Sequence, residues 1–133
     1  MILLDTHVAI WILRNDAALG KKARETAVVA LAEAQLTISA ISFWEIALLI
    51  SKGRLRSLDD PAETRRLMIL AGIREIPLTG DIAIIAVQLD ALHGDPADRF
   101  IAATAVAHDA ALMTADDTLL AWRSKIRCIN AER

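Results

Sequence analysis

Four carboxylates in this chain sit where a hydrophobic run ends or a helix-like run begins. Asp5 closes "MILLD", Glu45 lies in "SFWEIALL", Asp98 follows Pro96 in "DPADRF", and Asp116 closes "ALMTAD". Carboxylates brought together repel one another and raise each other's pKa unless a cation intervenes. An all-oxygen donor set without thiolate or imidazole suits Mg²⁺ or Mn²⁺. Such an ion shares its shell with phosphate oxygens, activates a water and stabilises a leaving oxygen, so the chemistry implied is phosphodiester hydrolysis.

Each acid also has a plainer role. Ser42-x-x-Glu45 reads as a capping box, with Ser42 as N-cap and Glu45 in the first turn. Asp95 fits an N-cap before Pro96, and Asp98 suits the positive end of that helix. Asp116 and Asp117 fit the start of the last helix. Asp5 is harder to place this way, because an acid ending a buried strand needs a partner or a cation.

The elements that would position these acids follow from periodicity and breakers. Residues 2–4, 36–39, 73–78, 110–115 and 126–129 read as short strands. Residues 6–15, 21–35, 42–53, 61–72, 80–94, 96–109 and 116–123 read as helices, with Asn15 and Asp16 capping the second, Gly53 stopping the third and Pro96 at a first helical position. Strands alternating with helices predict an α/β sandwich around a mostly parallel sheet of four or five short strands. Ligands of such sheets bind beyond the carboxyl ends of the strands, where Asp5 and Asp116 fall.

The totals fit that reading. A chain of 133 residues, 55% hydrophobic, with a mean hydropathy of +0.40, suits one domain spanning 1–133. No apolar run is long enough for a membrane span, and no signal peptide is evident. Cys128 is the single cysteine, which excludes an internal disulfide. A cytoplasmic protein is expected. The net charge of -2 excludes gripping nucleic acid by bulk positive charge and leaves room for a local basic patch.

The stretches "LLDTHVAIW", "ISFWEIALL", "DPADRFIAATA" and "LMTADDTL" closely resemble, in order and spacing, the PIN-domain ribonucleases, and specifically the VapC-type toxins of bacterial toxin–antitoxin modules. The resemblance spans essentially the whole chain. It implies a PIN-like fold whose acidic site maps onto Asp5, Glu45, Asp98 and Asp116, both as metal ligands and as catalytic residues. It further implies a Mg²⁺- or Mn²⁺-dependent endoribonuclease that cuts RNA and inhibits translation, a homodimer, and a VapB-type antitoxin as partner.

Other residues carry weaker signals. Thr6 and Thr114 stand beside two of the acids and can orient a carboxylate or hydrogen-bond a metal's water, or simply bond the backbone at a strand end. Lys52, Arg54 and Arg56, with Arg65, Arg66 and Arg99, can follow an RNA backbone or serve as ordinary surface charges. His7 is a possible base near neutral pH, although hydrolysis at a metal does not need one. His93 and His108 suit helix C-termini. Trp11 and Trp44 fit a groove for a partner but, at helical spacing, better fit the core, and Trp122 fits the core. The alternative function is a PIN-like module that binds RNA or a partner without cutting. A P-loop is absent.

Overall fold

Leu3 and Leu4 are neighbours in sequence, and both are fully buried. Successive strand side chains point to opposite faces, so the strand carrying them must be covered on both sides. The computed structural model shows that arrangement, and it describes residues 1–55, 58–89, 92, 95–122 and 126–133. The elements run β1 (Ile2–Leu4), α1 (Thr6–Arg14), α2 (Lys21–Ala32), β2 (Leu36–Ser39), α3 (Ala40–Ser51), α4 (Pro61–Leu70), β3 (Arg74–Ile76), α5 (Gly80–Gln88), α6 (Pro96–His108), β4 (Ala111–Thr114), α7 (Asp117–Ala121) and β5 (Cys128–Asn130).

The strands form one five-stranded sheet in the order β3-β2-β1-β4-β5, and every pairing is parallel. The expected α/β/α sandwich is therefore present. Each face of the sheet has its own core. Leu4, Ile38 and Met113 meet Val8 of α1, Ala27 of α2, Ile46 of α3 and Met68 of α4. Leu3, Ile76 and Leu112 meet Ile82 of α5, Ile101 of α6 and Leu119 of α7. The chain builds outward from β1 through β2 to β3, then crosses back to build β4 and β5 on the other side. The crevice where the order reverses lies between β1 and β4, the place where open parallel sheets bind ligands.

Several boundaries differ from expectation. α2 stops at Ala32 rather than Gln35, because the chain turns through Ala34 at φ 56°. α5 stops at Gln88, with Leu89 already extended; its expected end at Gly94 lies outside the described residues, as does His93. Asn15 and Asp16 do not cap α2. Asn15 closes α1 in the left-handed region, and Gly20 stands at the α2 N-cap without a side-chain bond. The amides at that helix start find carbonyls elsewhere: Gly20 N donates to Ala131 O at 2.8 Å and Lys22 N to Arg133 O at 2.8 Å. A Cβ on Gly20 would lie 2.2 Å from the Arg133 backbone carbon, so only glycine permits this approach. Among the described residues, no helix is long and apolar enough to cross a membrane.

Candidate active site

The register sets Leu4 beside Ile38 and Met113. The next residues of the three strands, Asp5, Ser39 and Thr114, therefore reach the same carboxyl edge. Asp5 is only 7% exposed. Its amide donates to Met113 O at 2.9 Å. Its Oδ1 caps α1 by accepting from Thr6 N at 2.8 Å, and its Oδ2 accepts from the Thr114 hydroxyl at 2.7 Å. Burial raises the Asp5 pKa above the ordinary carboxylate value, while the Thr114 and Thr6 hydrogen bonds oppose that rise.

Glu45 is placed differently from the expectation. Ser39, not Ser42, caps α3, accepting from Ile41 N at 3.2 Å. Ser42 is fully buried inside the helix, and Glu45 stands in the second turn, beyond reach of a capping box. The carboxylate instead meets the Thr6 hydroxyl, which lies 2.5 Å from Glu45 Oε1 and 2.8 Å from Ser42 Oγ. A hydroxyl has one proton, and an ionised carboxylate can only accept. Thr6 therefore donates to Glu45, and Ser42 donates to Thr6. Burial raises the Glu45 pKa, the Thr6 bond lowers it, and the charges of Asp95 and Asp5 raise it further.

Asp98 occupies the first turn of α6, as expected. The cap of that helix is Asp95, whose Oδ1 accepts from Asp98 N at 3.0 Å. Asp98 is thus free of the capping task. Its pKa is pushed up to about 7 by burial first, then by the charges of Asp95, Asp5, Glu45 and Asp116. Asp116 does cap α7: Oδ1 accepts from Thr118 N at 2.8 Å and from Leu119 N at 3.1 Å. Its own amide donates to the Thr114 hydroxyl at 3.0 Å. Capping and ligation do not compete here, because a carboxylate has two oxygens and a cap uses one. Asp117 is exposed.

The four acids converge on one cleft of about 310 Å³, lined also by His7, Trp11, Asp95 and Ala115. Within it Glu45, Asp95 and Asp98 each offer an oxygen within 4.8 Å of the others. Asp95, which the sequence marks as a cap, is thus also a fifth acid of the cleft. The donors are all oxygen, and the mutual repulsion that raises Asp98 is what a divalent cation would relieve, so the residues fit Mg²⁺ or Mn²⁺. A larger open groove of about 460 Å³ lies elsewhere, along Met1, Glu25, Val29 and Glu33; it gathers no comparable set of groups.

The remaining candidates separate. His7 is exposed and faces the cleft. Arg99 turns away from the acids: its guanidinium donates to the carbonyls of Ala86 at 3.1 Å, Leu89 at 2.9 Å and Val87 at 3.5 Å, and also to that of Leu92. Ala86 and Val87 are in the last turn of α5 and Leu89 is its C-cap, where carbonyls lack intrahelical partners, and Leu92 follows in the connection, so Arg99 finishes α5 rather than meeting a phosphate. Arg65 pairs with Glu75 at 2.7 Å and Arg66 with Glu63 at 2.6 Å. Lys52 and Arg54 are exposed, while Arg56 lies outside the described residues. Trp11 is half-buried against the α1–α4 core. Trp122 is core as expected, but Trp44 is 53% exposed, against the expectation of a core residue. Ser42 is the residue that sequence reasoning placed in the wrong role. Its spacing three residues after a strand-ending serine is the available signal, since only one of the two can cap.

Comparison with known proteins places this geometry among relatives. A family model described as PIN domain matches residues 2–122. The chain is 35% identical over 124 residues to Ribonuclease VapC22 of Mycobacterium tuberculosis (strain ATCC 25618 / H37Rv), covering 92% of each. It superposes with a TM-score of 0.71 on a chain of VapBC2 from Rickettsia felis bound to a DNA fragment from their promoter, at 18% identity and 98% coverage of both chains. FitAcB from Neisseria gonorrhoeae matches with a TM-score of 0.66 at 25% identity, also over 98% of each.

Proposed function

The chain belongs to the PIN domain family, and from that premise we propose that it is a metal-dependent endoribonuclease, the toxin of a VapBC-type toxin–antitoxin pair, acting on RNA to inhibit translation. The observation that carries this is the convergence of Asp5, Glu45, Asp98 and Asp116 on one cleft, in a chain 35% identical to a named ribonuclease.

In this reading Asp5, Glu45, Asp98 and Asp116 hold Mg²⁺ or Mn²⁺, with Asp95 close enough to Glu45 and Asp98 to join them. When bound, the ion neutralises phosphate charge and makes water more acidic. The protein's own groups keep the donors in place. Thr114 holds Asp5 and, through the Asp116 amide, ties β4 to the same point. Ser42 and Thr6 hold Glu45. His7, at the cleft wall, can take up the proton that water releases as its oxygen bonds to phosphorus and one P–O ester bond breaks. A VapB-type antitoxin is the proposed protein partner, as VapBC and Fit pairs are the solved neighbours. A homodimer is part of the same proposal and is checked by sedimentation, which should give about twice the chain mass of 14.5 kDa.

The test is cleavage of a labelled structured RNA with Mg²⁺, with Mn²⁺ and with chelator, beside Asp5→Asn prepared identically. Discrete products that require both metal and Asp5 support the reading. Products that persist in chelator or in Asp5→Asn would overturn it.

A further inference from the structure

Beside the acid cleft lies a second groove of about 230 Å³. Glu45 and Asp95 line both, so the two are adjacent. Its lining joins apolar Leu48 and Leu49 of α3 and Pro96 of α6 to Trp44, and also includes Lys52 and Arg54. Two features set this groove apart. The chain has three tryptophans, two phenylalanines and no tyrosine, and among the described residues Trp44 is the aromatic that stands more than half exposed. Lys52 and Arg54 are exposed cations, and no ion pair of theirs occurs among the described residues, whereas Arg65 and Arg66 are both paired.

An exposed indole offers a large, rigid apolar face that a partner can cover. Nucleobases stack on such faces whatever their sequence, and cations beside them follow the phosphates. A base within a duplex already has its stacking partners, so the indole selects a base that is unpaired. The chain as a whole carries net charge -2, so cations that receive phosphate must be local, and these two lie on the groove that adjoins the acid cleft. An acidic peptide could also use these cations, but Trp44 beside them favours a base stacked next to its phosphates. Resting on the ribonuclease reading above, we propose that this groove is a nucleotide subsite. Trp44 stacks an unpaired base of the RNA next to the scissile phosphate, and Lys52 and Arg54 hold the adjoining phosphates.

The test is a binding titration, which needs no cleavage and so fails separately from the nuclease reading. A fluorescein-labelled single-stranded RNA of mixed sequence and its blunt duplex are titrated with Mg²⁺ present, in the Asp5→Asn background so that no strand is cut. Trp44 is native, Ala or Phe. A half-exposed side chain contributes little to the fold, and a melting curve of each variant verifies this. Trp44→Ala should weaken single-strand binding about 10-fold and leave duplex binding unchanged, since a base stacked on an aromatic ring contributes about 1–3 kcal/mol. Trp44→Phe should retain most of the affinity and lose most of the RNA-induced quenching of tryptophan fluorescence. Equal single-strand affinities for native Trp44 and Trp44→Ala would overturn the subsite and leave the groove to a protein partner. Equal losses on both RNA forms, or a Phe variant as weak as Ala, would overturn stacking of an unpaired base.

Discussion

Asp95 and Asp98 stand three residues apart and divide two tasks that the sequence assigns to either. Asp95 caps α6, whereas Asp98 makes no cap and carries a carboxyl pushed up to about 7 by burial and its acidic neighbours. Asp98→Asn should therefore reduce cleavage by about 100-fold or more, as expected when a charge that stabilises the transition state is lost, without lowering the melting temperature. Asp95→Ala should cost about 1 kcal/mol of stability through the lost cap. Urea melts and cleavage rates of the two variants check this together; an Asp98→Asn protein that melts well below wild type would show the acid to be structural. The convergence was legible because Asp5 and Asp116 follow strands and Asp98 opens a helix, and a parallel sheet gathers such points at one edge; Glu45 joins them from the second turn of α3, one turn later than read. Ser42 was not legible in its actual role, since its partner is a hydroxyl 36 residues away. Arg99 was not legible either, because its acceptors are carbonyls at the end of another helix.

At the scale of elements, hydrophobic periodicity located the strands and helices to within a few residues except at the end of α5, which stops at Gln88 against a reading to Gly94, and the misplacements concern ends. Ser39 and Ser42 are both sound N-caps by chemistry and both are fully buried; Ser42 is engaged by the Thr6 hydroxyl while Ser39 caps α3, and that partnership depends on the whole fold. The end of α2 was overestimated for a related reason. Apolar periodicity continues to Gln35, but the chain must turn at Ala34 to enter β2, and alanine there adopts φ 56°. An L-residue with a Cβ is strained in that region, and glycine is its usual occupant at a helix end. Ala34→Gly should stabilise the protein by about 0.5–1 kcal/mol, the relief of strain outweighing the entropy that glycine adds to the unfolded chain. Thermal and urea unfolding measure it; a destabilised variant would refute the strain at this turn.

For the molecule as a whole, the acid cleft sets how stability responds to pH. An unfolded Asp98 titrates near 3.8 and the folded one at about 7, so between those values the folded protein holds a proton that the unfolded chain has released. The contribution is fully present below 3.8 and is lost as pH rises through about 7. Asp5 and Glu45 shift in the same direction. Glu63 and Glu75, lowered by Arg66 and Arg65, act the opposite way, below their ordinary value of 4.5. Chelated protein should accordingly melt at a lower temperature at about pH 8 than at about pH 5.5. Roughly millimolar Mg²⁺ should raise the melting temperature at the higher pH by binding the folded state alone, and Asp98→Asn should flatten the slope. A pH-independent melting temperature that metal leaves unmoved would remove the case for a shared site. The hydrogen bond between Thr114 and Asp5 closes a span of 109 residues, and this long closure has a consequence in time. Contacts so far apart in the chain form late, after nearer pairings have offset the entropy of closing the loop. A chain still emerging from the ribosome, with β1 to β3 made and β4 not yet synthesised, holds Asp5 without Thr114 and has no Asp116 at all. Assembly of the four-acid cleft thereby waits until β4 and Asp116 have been synthesised, so chains that stop short of them carry no complete cleft.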